Sequence, residues 1–118
     1  MTEEEEAQNA KELVDFYRIC FAHPSVKGIM MWGFWERANW IPVSSMYRAD
    51  WSVTPTADAY RNLVFGEWWT NASGTADSQG TFSTSAFYGR YKITAGGVTK
   101  TVDFDQASGK MVVDFIQK

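Results

Sequence analysis

Three of the chain's six Trp fall within nine residues, in Trp32-Gly33-Phe34-Trp35-Glu36-Arg37-Ala38-Asn39-Trp40, directly after the apolar run Gly28-Ile29-Met30-Met31. Flat, rigid rings interrupted by Gly, Glu, Arg and Asn suit a sugar, which offers an apolar face for stacking and hydroxyls at its rim for hydrogen bonding. Tyr47 and Trp51 follow in an aromatic-polar loop over residues 41–53, the kind of segment that carries binding more often than scaffold. On residue type and proximity the candidate substrate-binding set is Trp32, Trp35, Glu36, Arg37, Asn39, Trp40, Tyr47 and Trp51. The competing reading is that a Trp-rich segment simply fills a core, since Trp is the largest side chain available for that purpose.

Catalysis would need more. A glycosidase uses two carboxyl groups, about 5 to 5.5 Å apart when it retains configuration and about 6.5 to 9.5 Å apart when it inverts. Glu36 and Asp50 are the only carboxylates near the Trp cluster, and with Arg37 and Arg48 beside them they read more simply as salt-bridging or solubilising loop residues. His23 is the only histidine, in a turn before Pro24, so no Ser-His-Asp or Cys-His arrangement can be argued. Cys20 is the only cysteine and reads as a small apolar residue; neither a disulfide nor a thiolate metal site can be built from it. No catalytic residue, metal or cofactor is therefore expected.

The 118 residues amount to one domain with a modest core, and 45% hydrophobic with 16% aromatic residues describes a folded protein with rings to spare for its surface. A net charge of −3 offers no basic stripe, which excludes nucleic acid and anionic membranes as natural partners and favours a neutral ligand. Met1-Thr2 and four Glu lack the basic and apolar regions of a signal peptide, and no apolar run approaches the ~18 residues of a membrane span.

The elements that must position the Trp cluster are legible around it. Thr2-Glu3-Glu4-Glu5 is a capping box, and Ala7, Ala10, Leu13, Val14, Tyr17, Cys20 and Phe21 form the stripe of an amphipathic helix that Pro24 ends. Val26 to Phe34 is a nearly continuous apolar run without alternation, as a strand covered on both faces would be. Thr54-Pro55 opens a second helix whose stripe is Ala57, Tyr60, Leu63, Val64 and Trp68. Beyond Gly74 the period becomes two. Phe87, Gly89, Tyr91 and Ile93 share a face, Ala95-Gly96-Gly97 turns, and Val98, Lys100, Val102 and Phe104 return, with further strands expected at Gly80 to Ser85 and Lys110 to Gln117. Asn71-Ala72-Ser73 matches the glycosylation sequon, a pattern common by chance.

Taken together, Phe21-Ala22-His23-Pro24-Ser25-Val26-Lys27-Gly28-Ile29, then Trp32-Gly33 and Trp40, resemble the last barrel strand and loop of the family-10 glycoside hydrolases, the retaining endo-β-1,4-xylanases. The resemblance continues through Ala57, Tyr60 and Leu63, Glu67-Trp68-Trp69-Thr70 and Phe87-Tyr88-Gly89-Arg90-Tyr91, as in longer members with a small β extension. It implies sugar contact at Trp32 and Trp40, whose counterparts line the subsite beside the cleaved bond. It also implies the absence of the family's two catalytic Glu, because neither an Asn-Glu-Pro nor a Thr-Glu-Leu/Phe-Asp phrase occurs. A complete (β/α)₈ barrel needs roughly 250 residues, so 118 residues correspond to its C-terminal portion.

The expected fold class is α+β: over residues 1–74, two helices flanking an isolated barrel-type strand, and over residues 75–118 a small antiparallel sheet or half-sandwich, together one cooperative unit. The expected function is binding of xylan or a related plant cell-wall β-1,4-glycan. The alternatives are endo-xylanase activity, in this chain or a longer parent, and an inert structural fragment. An inner barrel strand without neighbours leaves backbone N–H and C=O groups to satisfy, which predicts a homo-oligomer. Light scattering across a concentration series checks this: a dimer or larger species is expected, and a one-chain mass throughout would contradict it.

Overall fold

The computed structural model describes residues 1–116, which group into two compact units, Met1–Trp69 and a second from Thr70 onward. The class is α+β, with two α-helices and a two-stranded antiparallel sheet.

Helix α1 spans Glu3–Ala22. Its capping box forms as the sequence requires: the Glu5 N–H donates to Thr2 Oγ1 at 3.2 Å and the Thr2 N–H donates to Glu5 Oε2 at 2.7 Å. Four Glu in the first turn face the positive end of the helix dipole. The far end closes at His23, whose Nδ1 accepts from the Ser25 N–H at 3.2 Å, and Pro24 prevents continuation. Helix α2, Pro55–Asn62, starts on Thr54, whose Oγ1 accepts from the Ala57 N–H at 3.3 Å and donates to the Met46 carbonyl at 2.8 Å.

The two helices meet through Tyr17 and Tyr60, edge to face with centroids 5.8 Å apart. Burial, then the neighbouring Tyr60, raises the Tyr17 phenol above its ordinary pKa. Tyr17, Met46, Ala57 and Leu63 are the buried apolar residues, so this core is small. Two Arg forks tie α1 down at either end: Arg48 to Glu6 at 2.7 and 2.9 Å, and Arg18 to Glu67 at 2.9 and 2.7 Å. After α2 a π-helical turn, Leu63–Glu67, carries the chain to Trp68, which stacks on Phe21 at 4.0 Å.

Val26 to Phe34 differs from its expected strand. It carries no strand ladder among the described residues; the nearby pairing consists of isolated bridges from Trp35 to Tyr47 and from Tyr47 to Val53. Its C-terminal end is held, where the Phe34 carbonyl accepts from the Met46 and Tyr47 N–H groups at 3.0 and 2.9 Å; a ladder needs a neighbour along its length, and among the described residues the rest of the run has none. Apolar continuity specifies what such a segment prefers to touch, not that a partner is present.

In the second unit, β1 (Gly89–Ala95) and β2 (Val98–Phe104) pair in the register Tyr91 to Val102 and Ile93 to Lys100, keeping the two anticipated faces. Gly96 and Gly97, at φ 56° and 79°, supply the left-handed pair of a type I′ turn. The opposite face is polar: Arg90 Nε to Asp103 Oδ1 at 2.7 Å, and the Thr94 and Thr99 hydroxyls 2.8 Å apart. No strand forms over Gly80 to Ser85, because Asp77 draws the Gln79 and Thr81 amides into a side-chain-bonded turn, each at 2.9 Å. Residues 110–116 are also non-strand, with the Asp114 carbonyl accepting from Lys100 Nζ; Gln117 lies outside the described residues.

With so few buried side chains, each one carries a large share of the stability. Leu63→Ala is expected to cost about 2 kcal/mol or more and Thr54→Ala about 1 kcal/mol, read as lower denaturant midpoints. Arg90→Ala, on the solvated hairpin face, is expected to leave the midpoint of the first unit unchanged.

Candidate functional site

The Trp cluster divides into two groups. Trp32, Gly33, Asn39 and Trp40 line a groove of about 370 Å³ together with Ile29, Met30 and Met31 and with Leu13, Phe16 and Tyr17 of α1. Trp32 is 92% exposed and Trp40 81%, so each presents nearly its full ring to solvent. Rings this accessible beside a concave surface are rare in packing roles and suit a ligand with a flat apolar face.

Local sequence explains the display. A short 3₁₀ turn, Glu36–Ala38, folds the chain back so that Asn39 comes against Gly33. A Cβ on residue 33 would lie 3.0 Å from Asn39 Oδ1 and 3.2 Å from its Cγ, so a side chain there would press on the Asn39 amide. Asn39 Nδ2 donates to the Ser45 and Ser44 hydroxyls at 3.0 and 3.3 Å, holding the amide at the groove edge. A second 3₁₀ turn, Pro42–Ser44, completes this support.

Trp35, Tyr47 and Trp51 form the other group. Trp35 stacks on Trp51 at 4.8 Å with planes 9° apart, and Tyr47 lies 6.2 Å from Trp51 and edge-on to Phe34 at 6.3 Å. One face of Trp35 is thus already covered, and its indole nitrogen is buried without a hydrogen-bond partner. Trp51 adopts φ 69°, a strained conformation for a bulky residue; the turn from Arg48 to Ser52 and the stack on Trp35 hold it there.

Glu36 and Asp50 are both engaged locally. Glu36 Oε2 accepts from the Ala49 N–H at 2.5 Å, pinning the two loop limbs together. Asp50 Oδ1 accepts from the Ser52 N–H at 2.9 Å, and hydrogen bonds from Ser52 lower its carboxyl pKa. A general acid for glycoside cleavage needs the opposite shift. Arg37 is exposed on the first 3₁₀ turn. Among the described residues no cluster of three or more His, Cys, Asp or Glu could hold a metal, and no helix is long and apolar enough to cross a membrane.

The α1 wall of the groove was not apparent from the sequence. The signal available was Phe16, an aromatic residue off the helix's apolar stripe and so without a core position to fill.

The chain is related in sequence to parts of known proteins. It is 36% identical over 91% of its length to an anti-sigma-I factor, RsgI6, of Acetivibrio thermocellus, and 30% identical over 79% of its length to endo-1,4-β-xylanases 3 and 1 of Arabidopsis thaliana. It spans 15%, 13% and 10% of the lengths of these three relatives. No protein-family profile matches it. The xylanase relationship agrees with the origin that the Trp32-Gly33 and Trp40 pattern implies.

Gly33→Ala tests the geometry directly. The added methyl is expected to displace Asn39 from Ser44 and Ser45 at a cost of about 1 kcal/mol, visible as a shifted Asn39 side-chain amide resonance. An unmoved resonance would mean that the loop absorbs the methyl elsewhere.

Proposed function

We propose that this chain is the C-terminal part of a family-10 glycoside hydrolase-like protein and that it binds xylan or a related β-1,4-glycan without cleaving it. The observation that carries the reading is the pair of exposed rings, Trp32 and Trp40, on one groove with the Asn39 amide between them in sequence. A pyranose stacked on either ring finds polar edge groups at Asn39 and Ser44, the combination of apolar body and few oriented polar groups that sugar sites use. Trp35, Tyr47 and Trp51 support this reading as the stacked scaffold beneath the loop, with Trp51 the most exposed of them. Glu36 organises the loop through Ala49, and Arg37 remains available at the solvent edge for a longer glycan.

Binding is preferred to hydrolysis on two grounds. Neither family carboxylate phrase is in the chain, and Asp50 is held ionised by Ser52 rather than poised to give up a proton. One relative is named as an anti-sigma-I factor and others as endo-1,4-β-xylanases, so the shared stretch is not tied to one reaction.

Native gels cast with and without soluble xylan provide the test. Wild-type protein should be retarded by xylan, and Trp40→Ala or Trp32→Ala should lose most of that retardation with the circular dichroism spectrum intact. Equal retardation of wild type and Trp40→Ala would refute the groove assignment. Reducing sugar released from xylan and abolished by Glu36→Gln would establish hydrolysis instead.

A further inference from the structure

A second groove, of about 490 Å³, opens along α2 and the π turn, lined by Asp58, Arg61, Asn62, Phe65 and Gly66. Thr56 lines the first groove and Asp58 the second. Two positions on a helix are about 200° apart around its axis, so the grooves face different sides of α2. Phe65 and Gly66 of the second lie on the π turn. The Trp68 N–H reaches back five residues to the Leu63 carbonyl at 2.9 Å, and the widened turn keeps Leu63 buried while leaving Phe65 59% and Trp69 63% exposed. Phe65 lines the groove and Trp69 stands beside it, their rings 6.2 Å apart and tilted by 42°, and Phe65 is braced edge-on against Tyr60 at 6.1 Å. Isolated π turns concentrate at functional sites.

We infer that Phe65 and Trp69 form a second glycan-contacting platform, on which a β-1,4-linked pyranose stacks while Arg61 and Asn62 donate hydrogen bonds to its hydroxyls and Asp58 accepts one. The rim carries one acid and one base, a balance suited to a neutral polyhydroxylated ligand and unsuited to a phosphate chain. The space over Gly66 is open, since a Cβ there would meet nothing within 4 Å. The ligand class rests on the function proposed above. Two platforms on different sides of α2 make the chain bivalent, so it would hold polysaccharide more firmly than either groove holds a short oligosaccharide.

Titrating ¹⁵N-labelled protein with xylohexaose and following the six Trp indole N–H signals distinguishes the two grooves. The Trp69 signal is expected to move together with those of Trp32 and Trp40, and to keep moving in Trp40→Ala. In Arg61→Ala, at an exposed helical position, the Trp69 titration should weaken several-fold while those of Trp32 and Trp40 are unchanged. A stationary Trp69 signal with moving Trp32 and Trp40 overturns this platform and leaves the first groove standing. A moving Trp69 with stationary Trp32 and Trp40 supports it and overturns the first. No movement at any Trp, or an Arg61→Ala titration identical to wild type, overturns the platform.

Discussion

The contact of α1 with α2 through Tyr17 and Tyr60 is the interaction on which the first unit depends. Among the described residues only Tyr17, Met46, Ala57 and Leu63 are apolar and buried, so no deeper layer of them stands behind that contact. The Arg48–Glu6 and Arg18–Glu67 forks hold the ends of α1 in place around it. Their side chains are partly exposed, so each fork contributes modestly and serves mainly to orient the helix. Because Leu13, Phe16 and Tyr17 also line the Trp32–Trp40 groove, the helix packing that stabilises the unit also shapes the groove.

Arg48 also links the loop to the helices. Besides Glu6 it donates to the Val53 carbonyl at 2.7 Å, and Thr54, one residue on, bonds the Met46 carbonyl and caps α2. The aromatic loop is therefore bracketed by charge-assisted and capping hydrogen bonds, which allows Trp51 to remain at a positive φ. Display of Trp32 and Trp40 and stacking of Trp35 on Trp51 are two results of one loop, in which the second supports the first.

The surplus of exposed aromatics has a simple source. A chain with 16% aromatic residues and so small an interior must place many rings outside, and it collects several of them along two concave surfaces. The relationship to segments of xylanases and of an anti-sigma-I factor puts the same problem in a wider frame: the chain corresponds to 8 to 15% of those proteins, and the largely apolar run Val26–Phe34 carries no strand ladder among the described residues.

Local chemistry was legible in the sequence because it depends on residues a few positions apart. The Thr2 capping box, the Thr54-Pro55 start, the stop at Pro24 and the Gly96-Gly97 turn with its register are all set by short-range hydrogen bonds and allowed dihedrals. The concentration of Trp at residues 32–40 was equally plain. What the sequence could not decide was partnership, because long-range contacts leave no local trace. An apolar run reads the same whether or not a neighbouring strand exists, so Val26–Phe34 carries no ladder and is held by backbone hydrogen bonds at its ends. A Trp reads the same whether its face meets another ring or water, so only the tertiary structure separated Trp32 and Trp40 on the groove from Trp35 against Trp51. It alone showed Phe65 and Trp69 exposed, Phe65 within the π turn and Trp69 just after the Trp68 to Leu63 hydrogen bond that closes it.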